Sequence, residues 1–134
     1  MAHQQATLLP VNLDVQGLPV TVVGGGGAAL RRVAALREAC ADITVVAADV
    51  VPAIEDLADR GRLSWVRRDF RADDLGPACL VMAATGRLDQ DAAVADQARA
   101  RHVLCLRADG ETPARPTRTV PVRAGTGRAA RPAR

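Results

Sequence analysis

The residues best placed to do chemistry lie in one short run, Val20-Thr21-Val22-Val23-Gly24-Gly25-Gly26-Gly27-Ala28-Ala29-Leu30-Arg31-Arg32. Four consecutive glycines hold neither a helix nor a strand, because glycine loses more backbone freedom on ordering than any other residue. They sit between a β-branched run and a helical pattern, the strand–turn–helix context in which a glycine motif meets a phosphate. Spaced as G-x-G-x-x-G/A, the motif takes Gly24, Gly26 and Ala29. Gly24 makes the tight turn, Gly26 lets the backbone touch a pyrophosphate, and Ala29 permits close packing of helix on strand. The anion would rest on the unpaired N–H groups of the helix start, in a favourable dipole field. A bare turn accounts for one or two glycines, not four. An acid about 20 residues further on would hold ribose hydroxyls, and Asp49 is the candidate. Asp49 reads equally as the N-cap of the helix that follows, and both readings stand at this point. No basic residue directly follows the strand before Asp49, which favours NAD over NADP.

The other reactive side chains are sparse. Cys40, Cys79 and Cys105 show no C-x-x-C spacing and lie in apolar contexts, so buried free thiols in a reducing cytosol are expected. His3 and His102 are the only histidines, and neither forms a metal-ligand pair, so no metal site is expected. All 18 basic residues are arginine. The absence of lysine excludes Schiff-base chemistry and a P-loop lysine.

The elements that must position the glycines follow from the changing hydrophobic period. Strands are expected at 19–23, 42–46, 63–66, 78–84 and 102–106, each short, aliphatic and rich in Val, Ile or Leu. Helices are expected between them. The first sets Leu30, Val33, Ala34 and Leu36 against Arg31, Arg32, Arg37 and Glu38. The second has Pro52 in its first turn and Gly61 just past its end. The third spans 88–101. Strands alternating with helices at this spacing imply a Rossmann-like, doubly wound α/β fold: a parallel sheet of about five strands with helices on both faces.

One domain is expected over residues 1–110, followed by an Arg/Pro-rich tail over 111–134 with one edge strand at Thr119-Val120-Pro121-Val122 and disorder elsewhere. The tail carries six Arg and one Glu, a balance of +5, which leaves the body at −2 within a total of +3. Charge alone would allow the tail to bind nucleic acid, but such tails are more often simply solvated, and no nucleic-acid partner is expected. Trp65 and Phe70 are the only aromatics, so no stacking platform for single strands exists. No apolar span of 18 residues and no signal-like leader occur, so a soluble, cytoplasmic protein with no membrane partner is expected.

The run Leu8-Leu9-Pro10 to Arg32 resembles the N-terminal domain of sirohaem synthase and the free-standing precorrin-2 dehydrogenases, some of which are also sirohydrochlorin ferrochelatases. That family opens with a Leu-Pro-aliphatic lead-in, a strand, and Val-Gly-Gly-Gly-x-Val-Ala-x-Arg-Lys. Three later stretches also resemble it: Ile43 to Asp49, the Ala83-Ala84-Thr85 segment, and the strand leading to Asp109. The resemblance implies transfer of a hydride from precorrin-2 to NAD, giving sirohydrochlorin. By position it places Gly24, Gly26, Gly27 and Ala28 on the pyrophosphate, Ala48 and Asp49 beside the adenosine ribose, and Thr85 near the nicotinamide. It makes Asp109 the catalytic residue. A carboxylate at the sheet's C-terminal edge can take the proton that leaves with the hydride, although Asp109-Gly110 alone reads as a turn pair.

The family pattern is broken at Leu106, where it has Asn, and at Cys40, where a helix-ending Gly is usual. The expected dimerisation and tetrapyrrole-covering regions find only a faint echo after residue 116. The resemblance therefore implies a C-terminally truncated member whose activity the truncation would impair, with a homodimer left open. The alternative reading is a non-catalytic NAD-binding module or degenerate paralogue.

Overall fold

The computed structural model describes residue 9, residues 11–107 and residues 120–123. Along these the elements run β1 (Val11–Asp14), β2 (Pro19–Val23), α1 (Gly27–Glu38), β3 (Asp42–Val46), α2 (Pro52–Asp59), β4 (Ser64–Val66), a 3₁₀ turn (Ala72–Leu75), β5 (Leu80–Ala83), α3 (Leu88–Ala100), β6 (Leu104–Arg107) and β7 (Val120–Arg123). Five strands form one parallel sheet in the order β4-β3-β2-β5-β6. The order reverses at β2, whose neighbours are β3 and β5. In an open α/β sheet, ligands bind at this reversal, beyond the C-terminal ends of the strands.

The sheet is buried on both faces, as parallel sheets are. On one face Val20, Val22, Ile43, Val45, Leu80 and Met82 pack with Val33 and Leu36 of α1 and Ile54 of α2. On the other, Val23, Val81 and Ala83 pack with Val94 and Ala98 of α3 and with Leu75. The aliphatic composition is what lets β2 and β5 read as continuous apolar runs. In α1 the buried stripe is Ala29, Val33 and Leu36. Ala34, expected on that stripe, is exposed.

A strand absent from the sequence expectation appears at β1. It pairs in parallel with β7, in register Val11↔Val120 to Asp14↔Arg123, as a separate two-stranded sheet. The short strand expected near 119–122 thus has β1 as its partner rather than the edge of the main sheet. The rest of the expected tail, and Asp109, lie outside the described residues.

All three helices end in the same way. After α1 the Cys40 amide donates to Arg37 O (3.0 Å) and the Ala41 amide to Leu36 O (3.1 Å). After α2, Gly61 and Arg62 bond Ala58 O and Leu57 O, and after α3, His102 and Val103 bond Arg99 O and Ala98 O. These are Schellman motifs, and each needs a left-handed residue. Gly61 (φ +71°) suits that conformation, whereas Cys40 (φ +59°) and His102 (φ +57°) adopt it against their Cβ atoms. Cys40 is also exposed, and Cys79 and Cys105 are half-buried, so the expectation of three buried thiols is wrong. The Cys40 position is set by helix termination and not by a place in the core. Cys40→Gly is expected to stabilise the fold by about 1 kcal/mol, because relief of left-handed strain outweighs the added chain entropy. Denaturant midpoints of the two proteins measure it.

Candidate nucleotide site

The four glycines divide into two pairs. Gly24 has φ +126°, and a Cβ there would strike Ala84 O and stand 2.9 Å from Thr85 Cα. A Cβ on Gly25 would strike Asp49 O and stand 2.8 Å from Val50 Cγ1. These two glycines let the turn lie against the ends of β5 and β3. Backbone bonds fix it there: Gly24 N–H to Val46 O (3.0 Å) and Val51 N–H to Gly25 O (2.8 Å). Gly26 differs, because a Cβ there would meet nothing within 4 Å. A Cβ on Gly27 would find only Arg31 Nη1, 3.8 Å away. Packing therefore accounts for Gly24 and Gly25, and among the described residues nothing crowds Gly26 or Gly27.

Gly26 is the N-cap of α1 and supplies no side-chain cap. The first four amides of a helix have no partner within it, so those of Gly26, Gly27, Ala28 and Ala29 are available to an anion. Gly26 and Gly27 are exposed, and Ala28 is half-buried. Ala29 is fully buried against the sheet, the close packing its motif position requires. Arg31, one turn into α1, returns its guanidinium toward this end. Sequence reasoning did not single it out, although its spacing of four from Gly27 was the available signal.

Beside the turn a cleft of about 510 Å³ opens over the C-terminal ends of β2, β3 and β5. Gly24, Ala48 and Thr85 line it, so the structure brings together residues expected from three separate segments. Asp49 is exposed in the same loop as Ala48. It does not cap α2: the N-cap is Val51, with no side-chain bond. That removes the helix-capping alternative for Asp49.

Two further segments build the cleft and were not expected. Asp69, Phe70 and Ala72, between β4 and the 3₁₀ turn, form one wall. Arg68 holds this segment through a bidentate pair with Asp74, Nη1–Oδ2 2.8 Å and Nη2–Oδ1 2.6 Å, and the Arg71 amide also donates to Asp74 at 2.7 Å. The Arg68 bond, ahead of the Arg71 amide, holds the Asp74 carboxyl below the usual range. A carboxyl with a lowered folded pKa contributes its full stability above the unfolded value of about 3.9, and the contribution is lost as pH falls through the lower folded value. Urea midpoints are therefore expected to lose an increment below about pH 4 in the natural chain. In Asp74→Asn that increment is absent at every pH.

The end of β3 is pinned from β4. Trp65 Nε1–H donates to Ala47 O (2.9 Å), and Ala47 N–H donates to Val66 O (3.2 Å). The Arg67 guanidinium lies 4.9 Å from the Trp65 ring centre, in cation–π contact. On the remaining wall Gln90, Val94 and Gln97 of α3 face the cleft. Among the described residues no group of three or more His, Cys, Asp or Glu side chains could hold a metal ion, and no helix is long and apolar enough to cross a membrane.

Comparison with known proteins agrees with this geometry. A family described as "Putative NAD(P)-binding" matches residues 11–121. "Siroheme synthase 1" of Serratia proteamaculans is 40% identical over 96 residues, covering 72% of this chain and 20% of the relative. "Precorrin-2 dehydrogenase" of Bacillus subtilis is 31% identical over 104 residues, covering 78% and 64%. Among solved structures, "SirC, precorrin-2 dehydrogenase" superposes with a TM-score of 0.66 at 30% identity, covering 78% of this chain and 51% of that one. The chain thus spans about a fifth of the sirohaem synthase and under two thirds of the B. subtilis dehydrogenase. The match over residues 11–121, with these relatives beside it, shows that the chain belongs to the NAD(P)-binding family that includes the N-terminal domain of the sirohaem synthases.

Proposed function

We propose that the chain binds NAD across the β2 reversal and works as the dehydrogenase module for precorrin-2, yielding sirohydrochlorin. The observation that carries this reading is the pair Gly26 and Gly27: exposed, uncrowded, and at the uncapped start of a 12-residue helix beside the cleft. The residues fit a dinucleotide. Amides at Gly26, Gly27 and Ala28 would take the pyrophosphate, with Gly24 shaping the turn and Arg31 adding a cation. Ala48 and Asp49 would border the adenosine ribose, where the Asp49 carboxylate favours the free 2′-hydroxyl of NAD over a 2′-phosphate. Thr85 would stand at the nicotinamide end.

NAD, when bound, supplies the hydride acceptor. The chain's own part is to hold the two reactants in line and to take the proton that leaves the tetrapyrrole as the hydride departs. Asp109 is the residue proposed for that proton. Production of NADH from precorrin-2 by the purified chain tests the whole reading, followed by absorbance under anaerobic conditions. Absence of NADH with NAD demonstrably bound would overturn the enzymatic part.

One observation favours a second reading, a NAD-binding module that needs a partner to complete its substrate site. The cleft, at about 510 Å³, is the size of a pocket for one small ligand. A tetrapyrrole beside a dinucleotide needs more walls than the described residues form. A second copy of the chain is one source of them. Sedimentation of the protein with and without NAD separates a monomer from a dimer.

A further inference from the structure

Asp91 is the single charged side chain among the buried described residues, at 1% exposure. A buried carboxylate is costly unless it is well bonded. Asp91 Oδ1 accepts two hydrogen bonds from one residue, from the Thr85 amide at 2.9 Å and the Thr85 hydroxyl at 2.6 Å. The Thr85 hydroxyl oxygen in turn accepts from the Arg87 amide at 3.1 Å. Thr85, which lines the cleft, is thus held by its main chain and its side chain together. Its one hydroxyl proton faces two acceptors inside the chain, Asp91 Oδ1 at 2.6 Å and Arg87 O at 3.2 Å, and the shorter contact is with the carboxylate.

The glycine turn also rests against the Ala84–Thr85 backbone. Ala84 O and Thr85 Cα are what a Gly24 Cβ would meet. A shift of Thr85 therefore moves the seat of Gly24, and with it the amides at Gly26 and Gly27. Asp91 stands on the first turn of α3, while the glycines open α1. The carboxylate couples the two helices that flank the reversal.

We infer that Asp91 is a positioning residue for the dinucleotide: through Thr85 it sets the spacing between the nicotinamide wall and the pyrophosphate turn. This rests on the proposed binding of NAD in the cleft. The role needs an acceptor oxygen aimed at Thr85, and it does not need a negative charge. An asparagine can present the same oxygen, whereas a leucine, branched alike but apolar and larger, cannot.

The test measures NADH affinity of the purified chain by energy transfer from Trp65, the only tryptophan, with a thermal midpoint for each variant. Asp91→Leu is expected to weaken NADH roughly tenfold, the scale of losing hydrogen bonds to a charged acceptor. Asp91→Asn is expected to restore the affinity to within about twofold of the natural chain. A purely structural role predicts a lower midpoint in Asp91→Leu with unchanged affinity below it, and that result overturns the inference. So does an Asp91→Asn affinity as poor as that of Asp91→Leu. If Asp91→Leu does not fold, Thr85→Val carries the test, since it keeps the amide bond and removes those of the hydroxyl. Weakened NADH in the folded Thr85→Val protein supports the inference, and unchanged affinity overturns it. Absence of NADH binding by the natural chain overturns the nucleotide reading and this inference with it. Normal binding with an unaffected Asp91→Leu overturns this inference alone.

Discussion

Gly26→Val is expected to abolish measurable NAD binding while leaving the fold in place. The backbone at Gly26 (φ −93°, ψ −159°) is extended and open to any L-residue, and among the described residues nothing lies within 4 Å of a Cβ there. Among the described residues that space is empty, and under the proposed binding the pyrophosphate would occupy it. A branched Cβ would hold the pyrophosphate off the amides at the start of α1. Each hydrogen bond to a charged group is worth about 1.5–3 kcal/mol. Loss of two such bonds corresponds to roughly a hundredfold or more in Kd. Calorimetric titration with NAD reads the loss, and the thermal midpoint reads the fold. Valine is a much poorer N-cap than glycine, so a drop of roughly 0.5–1 kcal/mol in stability is expected beside it. Undiminished affinity in a folded Gly26→Val protein would remove the glycine turn from the nucleotide site. The neighbouring positions behave oppositely. Gly24→Val and Gly25→Val drive a Cβ into Ala84 O and Asp49 O, so they act on the fold before they act on the ligand.

That contrast shows how far the sequence could be read. The strand–glycine–helix context and the alternation of elements carry enough signal to place five parallel strands, because burial on both sheet faces forces continuous apolar runs. The motif also locates Gly24 and Gly26. It does not reveal that Gly25 is required by Asp49 O, because that contact joins two loops whose approach is a property of the assembled sheet. Strand β1 was missed for a similar reason. Val11 and Leu13 alternate with Asn12 and Asp14, too short a run to stand out, and its partner lies more than a hundred residues away. The ends of α1 and α3 are legible to within two residues, but the Schellman motifs that close them are not, since glycine signals such a motif and Cys40 and His102 take the left-handed position against their Cβ atoms. Asp91 reads in sequence as one more acid on a helix. Only its burial beneath Thr85 distinguishes it from Asp89 and Asp96, which are exposed. The residues of the Arg68–Asp74 clamp belong to a stretch without periodicity, where the order comes from a specific ion pair and not from a pattern.

Asp109→Ala carries the other large effect. Strand β6 runs parallel to β5, with Arg107 opposite Ala83, so it ends at the same sheet edge as the cleft. The sequence reaches Asp109 two residues later, outside the described residues. If Asp109 takes the proton released as the tetrapyrrole gives up its hydride, its loss is expected to lower turnover by roughly 10²- to 10⁴-fold, the usual contribution of a general base. NAD affinity is expected to stay unchanged, because the groups proposed to hold the dinucleotide, the amides of α1 and the loop at Asp49, lie elsewhere in the chain. Asp109→Asn is expected to be nearly as damaging, since it keeps the shape and cannot accept the proton. Turnover assays with precorrin-2, NAD titration and thermal midpoints on the three proteins separate the readings. Loss of turnover alone supports the base. A lower midpoint with turnover intact makes Asp109 a turn residue before Gly110. An inactive natural chain that still binds NAD favours the module that needs a partner, for a base accelerates a reaction only when the substrate is held within its reach.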